Sequence, residues 1–289
     1  MLGFVNVFKP SGPTSAQIGA FVRRIYGRRG EPKLPVGHLG TLDPMASGVL
    51  PLALGKATRL LPLIEDTRKA YAFAFELGRK TATGDATGAT IDEAVVPENA
   101  LERLEAAAIR FVGRIEQIPP MYSALHHEGK RLYERARAGE TVVRPARTIA
   151  VYGLQILGAE GRIVRGRLAC SEGTYVRTLC EDLGAAIGTV ATMTALVREA
   201  AGPFVLYESR TPEQIEAAPA EALVPPERVI AIPTIVLHGR DAADFRMGRL
   251  VPFAGGSASR HVFVRDGERR LVGVGEAVGA LLAPRKVFV

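Results

Sequence analysis

Asp43 is the residue whose surroundings most clearly suggest chemistry. It lies in GHLGTLDPMASGVLPLALGKATRL, residues 37–60. Pro44 restricts Asp43 to extended geometry, and Gly37, Gly40 and Gly48 allow backbone angles that other residues resist. The apolar run 49–54 would anchor the turn in a core. An anchored turn that presents one carboxylate is a way to hold a reactive group, although an isolated Asp-Pro pair more often serves only its own turn.

Two other stretches carry side chains that could act beside this acid. KAYAFAFELG alternates large and small residues, which predicts a strand with Tyr71 on its apolar face. CSEGTYVRTLCEDLG predicts a turn at Gly173 and then a helix, with Arg177 in the first turn. A cation at that position opposes the helix dipole, so a carboxylate partner is expected for Arg177. From the residues alone, Tyr71 and Tyr175 would both be assigned to the core.

Composition narrows the class of protein. The chain has 289 residues, a formal net charge of +7 and a sequence pI near 9.6, which indicates an acidic partner such as nucleic acid. The two cysteines, Cys170 and Cys180, form no CxxC pair and lie near no histidine cluster, so a metal site is not expected. No apolar run approaches the roughly 20 residues of a membrane helix and no signal peptide is visible, so we expect a cytoplasmic protein without a membrane partner.

The Asp43 stretch closely resembles the signature of the TruB family of pseudouridine synthases. KPSGPTS, PPMYSA, GKRLYE and GTYVR resemble further motifs of that family. Two positions depart from its pattern, namely Ala82, where an acid is frequent, and His126, where a lysine is usual. The resemblance implies isomerisation of a uridine in the T loop of tRNA, at position fifty-five, to pseudouridine.

The resemblance also implies roles for five residues around the reacting base. Asp43 would be the nucleophile, paired with Arg177, which should favour the ionised carboxylate and lower its pKa. Tyr71 would stack on the uracil after the base has flipped out, and it is a candidate base or relay for the proton that leaves C5. Tyr175 would lie near the base, and Leu196 would pack against it.

Two further residues are expected to contact the substrate or support the loop. Lys9, with Pro10, would support the active-site loop, and His38 would support the flipped nucleotide or the loop without being catalytic. The reaction conserves atoms and needs neither redox change nor external energy, so no cofactor is expected. We expect the protein to act on tRNA as a monomer, with no obligatory protein partner.

The predicted fold class is α+β, because helices and half-polar strands alternate irregularly. The resemblance implies a bent, mixed and largely antiparallel sheet flanked by helices. We expect a catalytic domain over 1–232 with an RNA-gripping insertion near 118–147, and a small β-rich PUA-like RNA-binding domain over 233–289. The interval 219–233 looks like a connection, 191–202 is predicted to be a helix, and Ser15 is predicted to cap the first helix.

Three other functions remain open at this point. A non-catalytic RNA-binding or RNA-folding protein could use the same surface, and a guide-RNA-dependent relative would need partner proteins. An unrelated acid-dependent hydrolase would need two carboxylates, and the sequence marks out no second acid.

Overall fold

The computed structural model describes residues 1–28, 30, 32–121, 126–127, 130–131, 142, 144–253 and 260–288, with the backbone alone described at 126–127 and 130–131. Most of the proposed insertion near 118–147, including the GKRLYE stretch, therefore lies outside the described residues.

The strands and helices are numbered here in chain order. The strands are β1 (Leu2–Lys9), β2 (Val36–His38), β3 (Ser47–Gly55), β4 (Lys69–Leu77), β5 (Arg79–Thr81), β6 (Thr90–Glu93), β7 (Gly113–Gln117), β8 (His126–His127), β9 (Lys130–Arg131), β10 (Arg147–Glu160), β11 (Ile163–Cys170), β12 (Ala191–Ala201), β13 (Phe204–Val205), β14 (Leu223–Val224), β15 (Thr234–Val236), β16 (Val251–Pro252), β17 (His261–Arg265), β18 (Leu271–Val278) and β19 (Leu281–Val287). The α-helices are α1 (Ser15–Tyr26), α2 (Ala100–Ala108), α3 (Val176–Ala186), α4 (Pro212–Ala217), α5 (Pro219–Ala222) and α6 (Gly239–Arg246). Short 3₁₀ helices cover Lys56–Leu63, Ile109–Phe111, Leu206–Glu208 and Pro226–Arg228.

One large mixed sheet carries most of the chain. Its strand order is β14-β1-β3-β12-β4-β11-β10-β7, with β2 beside β3 and β13 beside β12. Each of these neighbouring pairs is antiparallel except β3 with β12, which is parallel. The α+β class and the largely antiparallel mixed sheet are therefore confirmed.

Strand β4 lies at the centre of this sheet, between β11 and β12. Its side chains at Tyr71, Phe73, Phe75 and Leu77 are all buried, as the alternation predicts. They pack with the apolar faces of α1 and α3 in the main core. This burial fixes the register of β4, because a slip of one residue would turn the large side chains to the other face.

The prediction of a helix over 191–202 is wrong. These residues form β12, which pairs with both β4 and β3. The stretch is rich in Ala, Leu, Glu and Arg, which favour helices, but pairing and burial in the middle of a sheet override such weak preferences. The correction matters because β12 places Leu196 opposite Phe73 and Arg198 opposite Tyr71.

Smaller differences also have local causes. Thr14, not Ser15, caps α1: its side chain accepts from the Gln17 N–H while the Gln17 side chain accepts from the Thr14 N–H, forming a capping box. Residues 79–93 contain the short antiparallel pair β5–β6 on either side of a turn. Helix α2 ends at Ala108 and continues as one 3₁₀ turn to Phe111.

The C-terminal part forms a second sheet in the order β15-β17-β18-β19-β16 and also contains the helix α6. It has its own apolar cluster, around Phe245 and Val262. A further cluster is shared: Phe263 and Val274 pack with Phe4, Val49 and other residues of the main sheet. The two sheets are thus joined by a common core.

The interval 219–233 is not a free connection. It contains α5 and β14, and β14 extends the main sheet by pairing with β1. Val229 and Ile230 are buried in the shared cluster. The proline-rich composition here reflects short, closely packed elements rather than a flexible linker.

Gly48 is required at the start of β3. Its φ is +104°, and an added Cβ would lie 2.3 Å from the carbonyl oxygen of Arg198. We expect Gly48→Ala to lower stability by several kcal/mol, because both the backbone angle and the collision oppose it. Gly113 is the matched control, since its φ is +107° and nothing lies within 4 Å of its added Cβ. Urea unfolding measures both; equal losses for the two variants would contradict the collision.

Candidate active site

The turn that carries Asp43 is held by hydrogen bonds to every backbone carbonyl from residue 40 to residue 46. The donors come from the opening segment, from α1, from β12 and from the turn itself. The acceptor–donor pairs are Gly40 and Thr41 with the Arg198 guanidinium, Leu42 with Ser15 Oγ, Asp43 with the Ala46 N–H, Pro44 with the Gly12 N–H and Lys9 Nζ, Met45 with Ser11 Oγ, and Ala46 with Lys9 Nζ. A loop so fully bonded presents its side chain in one direction.

Asp43 meets Arg177 at a cleft beside β4. The Arg177 Nε lies 2.9 Å from Asp43 Oδ2; the Arg177 side chain is 5% exposed and that of Asp43 39%. Arg177 also donates from Nη1 to the Thr83 carbonyl at 2.9 Å. The open cleft measures about 460 Å³ including the solvent at its mouth, and it is lined by Thr41, Leu42, Asp43, Tyr71, Thr174, Tyr175, Val176, Arg177, Met193 and Leu196. Five of the predicted site residues therefore meet at one place.

The pKa of Asp43 is shifted in the direction opposite to that predicted. Removal of the carboxyl from water raises its pKa above the ordinary value, and Arg177 lowers it without cancelling that effect. The nearby Asp85 carboxylate raises it further, and Lys9 lowers it. The expectation that Arg177 favours the ionised form is right for that one interaction, but desolvation and Asp85 determine the net direction.

Asp85 is an acid of this site that sequence reasoning missed. It is 6% exposed, and its Oδ1 accepts hydrogen bonds from Thr83 Oγ1 at 2.8 Å and from the Thr87 N–H at 3.0 Å. This turn carries the Thr83 carbonyl to which Arg177 donates. Asp85 does not line the cleft, so it resembles a support more than the second carboxylate of a hydrolase. The Thr-Gly-Asp composition of 79–91 signals a turn but gives no sign of its nearness to Asp43.

The pH dependence of the reaction should report on this pair of acids. If Asp43 must be ionised, activity falls as pH drops through its raised pKa, so the acid limb lies above that of an ordinary aspartate. We expect Asp85→Asn to move this limb to lower pH, because a nearby negative charge is removed while one acceptor oxygen remains. Single-turnover rates between pH 4 and 8 measure the shift. Asp92→Asn, on the exposed β6, is the control; an unmoved limb would show that Asp85 does not act on Asp43.

Tyr71 stands on the wall of the cleft and is 6% exposed. Burial raises the pKa of its phenol, and the positive charge of Arg198 opposes the shift. A phenol with a raised pKa stays protonated at neutral pH, so its protein environment favours a stacking surface over a proton acceptor. Tyr175 lies across the cleft, at the residue before α3, and its backbone N–H and C=O bond with the Gln117 side chain.

Lys9 and His38 lie outside the cleft lining. Lys9 has no exposed surface, and its Nζ donates to the carbonyls of Pro10, Pro44 and Ala46, so it supports the turn and is not placed to touch substrate. Burial lowers the pKa of Lys9 to about 8, while Asp43 opposes this. His38 is exposed at the end of β2. Its pKa is lowered mainly by partial removal from water and, to a smaller extent, by the positive charge of Arg198.

The described residues give two further negative findings. Across these ranges, no three His, Cys, Asp or Glu side chains come together in a way that could hold a metal ion. In the same part of the chain, no helix is long and apolar enough to cross a membrane.

Comparison with known proteins adds the family. Residues 23–176 match the model of the TruB family pseudouridylate synthase N-terminal domain, which is more than half of the chain. The chain belongs to the TruB family. Residues 177–226 match the tRNA pseudouridylate synthase B C-terminal domain, so the junction of the two TruB models falls between Val176 and Arg177, in the helix that carries the partner of Asp43. Pseudouridine synthases are isomerases, and this TruB protein is one.

TruB relatives match over nearly the whole chain. A tRNA pseudouridine synthase B of Aromatoleum aromaticum is 41% identical, covering 99% of this chain and 92% of the relative. One of Acaryochloris marina is 40% identical, covering 100% and 99%. Among solved structures, a chain of a Cbf5–Nop10–Gar1 complex is 27% identical with a TM-score of 0.67. A chain of an H/ACA RNP bound to a substrate RNA containing 2′-deoxyuridine is 25% identical with a TM-score of 0.68; each covers 99% of this chain and 85% of the other.

Proposed function

We propose that this TruB enzyme isomerises the uridine at position fifty-five in the T loop of tRNA, with Asp43 as the nucleophile. The observation that carries the proposal is the Asp43–Arg177 pair at 2.9 Å in a cleft lined by two tyrosines and an apolar floor. The relatives named tRNA pseudouridine synthase B support tRNA as the substrate. The basic net charge of +7 suits a polyanionic partner.

The isomerisation requires few protein groups beyond the Asp43–Arg177 pair. The bond between N1 of uracil and C1′ of ribose breaks, C5 bonds to C1′, a proton leaves C5 and N1 gains one. The ionised Asp43 bonds covalently to the base or the sugar while the other is detached, and that bond breaks as the product forms, which returns the free carboxylate. Arg177 fixes the orientation of this carboxylate. No electron is gained or lost, so the step is balanced without a co-reactant.

The target base must leave its stack to reach the cleft. Unstacking costs a few kcal/mol, and stacking on one aromatic side chain returns about 1–3 kcal/mol. Tyr71 provides that surface and Leu196, 8% exposed on β12, provides the apolar contact. The cleft thus offers a site in which a flipped uracil is held beside Asp43.

We further propose that residues 1–232 form the catalytic unit and 233–289 a PUA-like RNA-binding module. The tail carries nine basic and five acidic residues, a net +4. Most of its arginines are held by carboxylates: Arg240 and Arg249 by Asp244, Arg246 and Arg270 by Asp266, Arg260 and Arg285 by Glu276, and Arg265 by Glu227. After these pairings the tail keeps a net positive charge, which would favour contact with phosphates.

The test uses a tRNA transcript labelled with tritium at uridine C5. Formation of the C5–C1′ bond releases that tritium to water, and we expect the purified chain alone to release one equivalent. A transcript with cytidine at position fifty-five and label at the other uridines is the control and should release none. Release from the control would place the target elsewhere. Binding without release would favour an RNA-binding protein or a partner-dependent synthase, the kind of assembly seen for the Cbf5 complexes.

A further inference from the structure

Arg198 is a fully buried cation in the middle of the main sheet. It has no exposed surface and is among the largest completely buried side chains of the described chain. It lies on β12, opposite Tyr71 of β4. A buried guanidinium is expensive to desolvate unless its donors are used, so its hydrogen bonds indicate what it does.

The guanidinium bonds to both arms of the turn that carries Asp43. Its Nη2 donates to the Gly40 carbonyl at 3.0 Å and its Nη1 to the Thr41 carbonyl at 3.1 Å. Its Nε donates to the Val49 carbonyl, on β3 beyond the turn, at 2.7 Å. Because the guanidinium is rigid and planar, these three bonds fix the distance between the two arms.

The same side chain also reaches the wall of the cleft. Arg198 lies opposite Tyr71 in the β4–β12 pair, and its positive charge acts to lower the pKa of the Tyr71 phenol, so the turn and the aromatic ring share one anchor. Arg198 itself is absent from the cleft lining and has no surface that RNA could touch. Any effect on catalysis must therefore pass through the groups it holds.

We propose that Arg198 is a positioning residue that holds the Asp43 carboxylate and the Tyr71 ring in one fixed arrangement. The proposal rests on the pseudouridine synthase activity of the family and deepens the role given to Tyr71. Substitution of Arg198 should therefore lower the rate of the chemical step and leave RNA affinity unchanged. The substitution disturbs the arrangement of Asp43 and Tyr71 without changing the RNA-facing surface.

The test compares Arg198→Lys and Arg198→Met with Asn6→Ala. Lysine keeps the charge but cannot span three carbonyls. Asn6 is the matched control, since it is 5% exposed and donates to the Val205 carbonyl at 2.9 Å, away from the cleft. We expect Arg198→Lys to lose about 100-fold or more in single-turnover rate with the transcript Kd unchanged. Asn6→Ala should lose stability without losing rate. A near-wild-type rate for Arg198→Lys would overturn the proposal.

Coupling to Tyr71 gives a second readout. We expect Arg198→Lys combined with Tyr71→Phe to lose little more rate than the worse single variant, because both change the contact between these two facing side chains. Fully multiplicative losses would overturn the shared anchor. Arg198→Met serves here only to ask whether the fold survives loss of the charge, judged by circular dichroism.

A spectroscopic test does not depend on the RNA substrate. The seven tyrosines can be replaced by 3-fluorotyrosine, and the Tyr71 resonance assigned by its loss in Tyr71→Phe. We expect Arg198→Lys to shift that fluorine resonance and leave the others in place; an unmoved Tyr71 resonance would overturn the proposal. If wild-type protein failed to act on tRNA, the proposed substrate would be wrong while this test still judged Arg198.

Discussion

Replacing Asp43 by asparagine should abolish pseudouridine formation while leaving tRNA binding within about threefold of wild type. Asparagine preserves the shape of the side chain, and the hydrogen bonds to the seven carbonyls of the turn involve backbone oxygens, so the turn should persist. What is lost is the nucleophile. Removal of a nucleophile costs on the order of 10⁴-fold or more in other enzymes.

Tritium release and filter binding on the same transcript measure the two quantities. Asp92→Asn is the control for a lost carboxylate, because Asp92 is exposed on β6. Residual turnover above about one per cent by Asp43→Asn would remove Asp43 from the role of nucleophile. A large loss of binding would show instead that the carboxylate serves recognition.

Replacing Arg177 by methionine should lower the rate by about 10²- to 10³-fold and move the acid limb of the pH profile upward. Arg177 lowers the pKa of Asp43 against desolvation, so its removal raises that pKa further and leaves less ionised nucleophile at a given pH. The carboxylate also loses its orienting contact at 2.9 Å. Both effects act on the chemical step, so RNA affinity should be little changed.

Single-turnover rates from pH 5 to 9 separate these two effects. The plateau rate reports orientation, and the position of the limb reports charge. Compared with Arg177→Met, Arg177→Lys should move the acid limb part of the way back towards its wild-type pH, because lysine keeps the positive charge. It should recover little of the plateau rate, because lysine lacks the guanidinium geometry. Arg165→Met, an exposed arginine on β11, is the matched control. An unshifted limb in Arg177→Met would contradict the electrostatic coupling.

Sequence predicts those parts of the site that depend on local residue patterns. The glycine and proline positions around Asp43 indicate a rigid turn, and the alternation through Tyr71 indicates a buried strand. Arg177 follows a turn signal and begins a helix, as expected. These are short-range rules, and the family resemblance implies that the three segments meet at one site.

What sequence did not predict depends on contacts between distant segments. Arg198 lies in a stretch whose local preference is helical, so its place opposite Tyr71 appears only once β12 joins the sheet. Asp85 influences Asp43 across 42 positions of sequence (85 − 43). The sign of the Asp43 pKa shift depends on how much water the fold removes, which no local pattern reports.

Strand β3 leaves the Asp43 turn with both of its faces covered. Val49 and Ala53 pack into the cluster shared with the C-terminal sheet, while Leu50 and Leu52 pack into the main core. The Asp43 turn is continuous with this strand, so the free energy needed to open the turn is not lower than that of unfolding the whole protein. Heat should therefore not inactivate this enzyme through early melting of its catalytic loop. Activity and folded structure should be lost at the same temperature.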